Sequence, residues 1–86
     1  LRFQACSSAP WEKRLLGEEL LYLLSGAIDL VFQLEVGERI VALRAGGACL
    51  VPRGVWHRQI VVEPGDLIFM TYGAVTEHCS IEPAAA

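Results

Sequence analysis

Charge is scarce in this 86-residue chain: Asp, Glu, Lys and Arg make up 20% of it, against 53% hydrophobic residues. Disordered chains show the reverse balance, so disorder is excluded. Basic charge is scarcer still. Seven Lys and Arg face ten Asp and Glu, for a net charge of −3, which argues against a nucleic-acid surface. Long apolar runs are missing too. The richest stretch, Leu20 to Phe32, is broken by Ser25, Gly26 and Asp29, and a membrane-spanning helix needs about twenty apolar residues. No membrane association is expected. Residues 1–10 lack the basic-then-apolar order of a signal peptide, so a cytoplasmic location is the expectation.

Cysteine is sparse and odd in number, with Cys6, Cys49 and Cys79 in no Cys-x-x-Cys spacing. That excludes a disulfide-dense scaffold and leaves three reduced thiols as the expectation, Cys49 buried in a strand. No Gly-rich phosphate loop precedes a helix, and there is no Gly-x-Ser-x-Gly elbow. Glu18 and Glu19 are adjacent; on a strand they point to opposite faces and cannot work as a carboxylate pair.

What is present is alternation. Ile28, Leu30, Phe32 and Leu34 share one face of a strand, and Asp29, Val31, Gln33 and Glu35 share the other. His57, Gln59 and Val61 likewise oppose Trp56, Arg58, Ile60 and Val62. Leu67 to Tyr72 is nearly all apolar, as in a strand buried on both sides. Turn signals fall at short intervals: Leu16-Gly17, Ser25-Gly26, Val36-Gly37-Glu38, Gly46-Gly47, Pro52-Arg53-Gly54 and Pro64-Gly65-Asp66. The pattern predicts strands near 2–6, 10–14, 18–24, 27–35, 38–44, 48–51, 56–62 and 66–72, with a last extended piece near 76–81. Residues 11–24 have helix-forming composition, but Gly17 and the all-round apolar run Leu20 to Leu24 favour strand. The expected fold is all-β, a barrel or sandwich, in one domain with its core over about 10–78 and short flexible ends. A chain this short buries only about 60% of its unfolded surface, so a homodimer is expected.

From Gly46 the spacing is Gly, five residues, Pro52, one residue, Gly54, two residues, His57. Pro52 ends a strand by withholding an N–H, Gly54 takes the turn, and His57 enters the next strand. Upstream, Glu19 is followed by six residues and Gly26. Both halves resemble the cupin superfamily, whose two motifs run Gly-x5-His-x-His-x3–4-Glu-x6-Gly and Gly-x5-Pro-x-Gly-x2-His-x3-Asn. The resemblance covers about 10–78. It extends to small single-domain members in which a Trp-Glu-x-His segment precedes Gly-Asp-Glu-Leu and a Thr-Glu-His lies near the end. The corresponding stretches are Trp11-Glu12-Lys13-Arg14, Gly17-Glu18-Glu19-Leu20 and Thr76-Glu77-His78. The resemblance implies a single-domain conical β-barrel, a double-stranded jelly roll of about eight short antiparallel strands, with its site inside.

In metal-binding members, two His and the Glu of the first motif and the His of the second hold Fe, Mn, Ni, Cu or Zn. Carried over residue by residue, Glu19 and His57 match. The two histidine positions fall on Glu12 and Arg14, and the closing Asn on Val61. Arg14 stays protonated and cannot be a ligand, so the resemblance implies an Arg14–Glu19 pair and a metal-free polar pocket. The expected function is binding of a small organic ligand, an anion among the candidates, through Glu12, Arg14, Glu19, His57 and Gln59. Arg14 would anchor a carboxylate, while Leu21, Leu30 and Phe32 line the rest. One alternative is a metal-dependent dioxygenase, isomerase or decarboxylase on Glu19 and His57, completed from Glu12, His78 or Cys79. The other is a dimerising β-module without chemistry. Trp11 and Trp56 fall on the parity opposite the pocket and are expected to pack between sheets or at a dimer contact.

Overall fold

The computed structural model describes residues 2–7, by their backbone alone, and 11–15, 17–71 and 76–83. They form six strands: β1 (Arg2–Ser7), β2 (Glu19–Leu34), β3 (Gly37–Arg44), β4 (Ala48–Val51), β5 (Trp56–Thr71) and β6 (Thr76–Glu82). No helix among the described residues is long and apolar enough to cross a membrane. The sheet order is β1-β6-β5-β2-β3, with β4 also on β2. All ladders are antiparallel except β1 with β6. No ladder among the described residues joins β3 to β1, so the sheet is not closed.

Among the described residues six strands stand where nine extended segments were expected, the last piece near 76–81 included, for two physical reasons. The turn signals Ser25-Gly26 and Pro64-Gly65-Asp66 do not turn the chain back. They face each other across the β2–β5 ladder, whose register shifts between Leu23 and Ile28, and both strands bend there and run on. A Cβ on Gly26, at φ +87°, would stand 2.7 Å from the Pro64 carbonyl oxygen, and one on Gly65 would run into the Ser25 carbonyl. The two glycines let the backbones approach closely, and Pro64 needs no ladder N–H at a bulge. The second reason is that residues 11–14 make a single bridge, Glu12 to His57, rather than a strand.

Two 16-residue strands are therefore shared by two differently directed halves. In the first, β4, the start of β2, the end of β5, β6 and β1 lie side by side; in the second, β3, the end of β2, the start of β5 and the 11–14 segment do. The bend turns their inner faces toward one core of Leu21, Leu23, Ile28, Leu30, Phe32, Leu43, Val51, Val61, Leu67, Cys79 and Ile81. The expected alternation holds in both strands: Ile28, Leu30, Phe32, His57 and Val61 are buried, while Gln33, Trp56, Ile60 and Val62 are exposed. Leu34 breaks it at the strand end, and Val31 is buried from the other face.

Leu67 to Thr71 is not buried on both sides, because Met70 is exposed and Ile68 half-exposed; Tyr72 lies outside the described residues. The outer face of the first half is apolar and open. Leu20, Leu50 and Met70 stand in one cross-strand row, with Tyr22 and Ile68 in the next. Cysteine usage also differs from the three-thiol expectation. Cys79 is buried and disulfide-bonded, whereas Cys49 is a free thiol, half-buried rather than buried. The side chain of Cys6 lies outside the described residues.

Candidate functional site

Of the five candidate residues, the structure gathers four into one cluster at the end of the second half. Backbone hydrogen bonds in both directions, 2.7 and 2.8 Å, pair Glu12 with His57, and the Gly54 N–H donates to the Arg14 carbonyl at 2.7 Å. Residues 11–14 thus lie along β5 with Glu12 and Arg14 on the inner parity. Trp11 and Lys13 face outward, where Arg58 stacks over Trp11 and Lys13 over Trp56, with 5.9 and 5.6 Å to the ring centroids. Both tryptophans are exposed and capped by a cation rather than packed between sheets. Gly54, at φ +79°, supplies the turn that places this anchor.

Glu19 and His57 are the two buried polar residues of the described chain, 4% and 5% exposed. Glu19 opens β2 directly opposite Thr71 of β5 and Val51 of β4. One carboxylate oxygen, Oε2, forms an ion pair with an Arg14 guanidinium nitrogen at 3.0 Å and accepts a hydrogen bond from the Thr71 hydroxyl at 3.2 Å. Such charge-assisted bonds offset the cost of burying the carboxylate. The same guanidinium nitrogen stands 3.6 Å from Glu12. The other oxygen, Oε1, is 3.8 Å from His57 Nε2. His57 Nδ1 lies 3.2 Å from the Val55 carbonyl oxygen, and Phe32 walls the ring with its centroid 6.4 Å away. Arg14 Nε is buried without a hydrogen-bond partner among the described residues.

Gln59, two positions along β5 from His57 on the same face, is half-buried and stands opposite Leu30. Leu21, Leu30 and Phe32, expected as lining, are packed members of the core. His78 and Cys79 stand apart from the cluster. His78 Nε2 is 3.0 Å from Asp66, which in turn contacts Ser25, and Cys79 is committed to its disulfide. Among the described residues no group of three or more His, Cys, Asp and Glu is gathered as for a metal ion. Thr71 and the Val55 carbonyl join the cluster without a signal in the motif spacing. Only the β2–β5 register, which brings Thr71 opposite Glu19, reveals the first.

No family model, curated protein or solved structure matches the chain.

Proposed function

We propose that this is a cupin-type β-barrel module that binds a small organic ligand, without a metal, at the cluster of Glu12, Arg14, Glu19 and His57, with Gln59 two positions further along β5. The observation that carries the reading is the buried polar pair Glu19 and His57, with the half-buried Arg14 ion-paired to Glu19 and its Nε unbonded, in an otherwise apolar sheet interior. Buried polar atoms are ordinarily bonded; Arg14 Nε is one of two exceptions among the described residues, the other being Arg58 Nε on the outward side over Trp11. The two long bent strands support a barrel-like wall, which the resemblance in residues 46–57 also suggests.

The donor set does not fit the family's divalent ion. Arg14 places its guanidinium on the carboxylate that would coordinate, and a fixed cation there both repels a metal and supplies the charge it would bring. A dimer is part of the proposal. The outer row Leu20, Leu50 and Met70, with Tyr22 and Leu24, is apolar, and the ionisable groups beside it on this face, His78 and Asp66, contact each other, so a second copy can seat on the apolar part of the same face. As for location, the disulfide at Cys79 favours an oxidising compartment over the expected cytoplasm.

The test is a fragment screen read by amide shifts in the folded protein. Binding that perturbs Glu12, Arg14, His57 and Gln59, and is weakened at least tenfold by His57→Ala, supports the reading. Fragments that bind only elsewhere, or an undiminished affinity in His57→Ala, refute it.

A further inference from the structure

The two buried groups of the cluster confront each other in a way that selects the ligand. A carbonyl oxygen can only accept, so the 3.2 Å contact between His57 Nδ1 and the Val55 carbonyl places the ring's proton on Nδ1. In the neutral imidazole, Nε2 is then a bare lone pair. It points toward Glu19 Oε1, another acceptor, across 3.8 Å. That distance is too long for a hydrogen bond and has no proton to fill it. Both side chains are buried, and no hydrogen bond between described residues fills Nε2 or Oε1, so a donor that reaches them meets two open acceptors.

From this we propose, resting on the ligand-binding reading above, that the Nε2–Oε1 pair is a clamp for a hydrogen-bond donor: the site takes a ligand bearing a hydroxyl or an amino group, rather than a carboxylate. The charge count points the same way. One guanidinium, Arg14, stands between two carboxylates, Glu12 at 3.6 Å and Glu19 at 3.0 Å, so the cluster is acidic by one charge with His57 neutral. A ligand carboxylate would meet two like charges, and Arg14 has already spent a terminal nitrogen on them. A hydroxyl placed between Nε2 and Oε1 donates to one of them, and an amino group donates to both. The Phe32 ring beside His57 suits an apolar carbon next to that donor.

The experiment uses the whole protein labelled with ¹⁵N and reads the His57 ring nitrogens by long-range ¹H–¹⁵N correlation at neutral pH. The expected state is a protonated Nδ1 with Nε2 in the range of an unprotonated ring nitrogen. A proton on Nε2 overturns the proposal. Benzyl alcohol, benzylamine and benzoate, one ring with three end groups, are then titrated. The alcohol and the amine are expected to move the His57 Nε2 resonance and benzoate to leave it in place. Glu19→Gln, whose amide puts an NH2 donor in the position of Oε1 when its oxygen keeps the Thr71 hydroxyl, is expected to weaken both at least tenfold while keeping the native circular dichroism. Should that variant unfold, His57→Phe serves as the second variant, with the same loss read from Gln59 and Phe32 amide shifts. Benzoate binding as well as the alcohol overturns the donor clamp but leaves the ligand site standing. A Zn²⁺-induced shift of Nε2, with neither alcohol nor amine effective, overturns it in favour of a metal. Silence of all three probes, where other fragments still bind the cluster, overturns the clamp alone.

Discussion

Glu19 is a carboxylate inside an apolar sheet, and its neighbours decide what replacing them does. Arg14→Met removes the cation from Oε2 and leaves the buried charge with Thr71 alone. Arg14 is itself 37% exposed, which weakens the pair relative to a fully buried one, so the expected cost is about 1–3 kcal/mol. Urea unfolding of the variant measures it; a change within 0.5 kcal/mol, roughly the scatter of ordinary surface substitutions, would show that the pair does not hold Glu19. Glu19→Gln keeps a side-chain acceptor for Thr71 and is expected to cost less than Arg14→Met. At Cys49, burial pushes the thiol above its ordinary value. The thiolate is the nucleophile, so its alkylation by iodoacetamide should run slower than that of free cysteine at pH 8. The rate–pH curve should lie at higher pH, and a curve coincident with that of free cysteine would contradict the burial. Cys79 should take up reagent only after reduction.

At the scale of elements, the bend shared by β2 and β5 rests on Gly26 and Gly65. Gly65→Ala sets a methyl against the Ser25 carbonyl, and Gly26→Ala adds a left-handed backbone to a 2.7 Å clash. Each should lower stability by about 2–4 kcal/mol, read from the denaturant midpoint, whereas Gly37→Ala meets nothing within 4 Å and bears only its φ of +121°. Alternation in residues 28–32 and 57–61 tells which side chains face the core, His57 among them, whereas the inward parity of Glu12 and Arg14 is legible only through the resemblance. Strand number is not legible in the same way, because a Gly beside Ser or Pro looks the same whether the chain reverses or two strands bend together. Thr71 escapes for a related reason: its role is fixed by which residue lies across the ladder, and that register is not written in either strand alone. The 11–14 anchor yields its own expectation. Trp11→Ala removes one exposed cation–π contact, worth about 0.5–1 kcal/mol. The amides of Glu12 and Gly54 should then exchange severalfold faster while that of Ile28 stays protected.

Over the whole molecule, the open apolar face governs behaviour in solution. If the proposed dimer forms there, Leu50→Glu, on a residue 52% exposed in the monomer, should leave the fold intact and shift sedimentation to the monomer, while the same change at Val36, 95% exposed at the β2–β3 turn, should not. A Leu50→Glu protein that sediments unchanged would count against this face. The parallel pairing of β1 with β6, Arg2 beside Glu77 through Ser7 beside Glu82, has a consequence in time rather than in space. It joins segments from opposite ends of the described chain, so the entropy of closing nearly the whole loop is met before that ladder gains a single bond. Until then β6, the strand that carries Cys79, has an uncovered edge, the kind of template on which unfinished β proteins pair with each other. Once the ladder forms, the open edge passes from the seven residues of β6 to the six of β1.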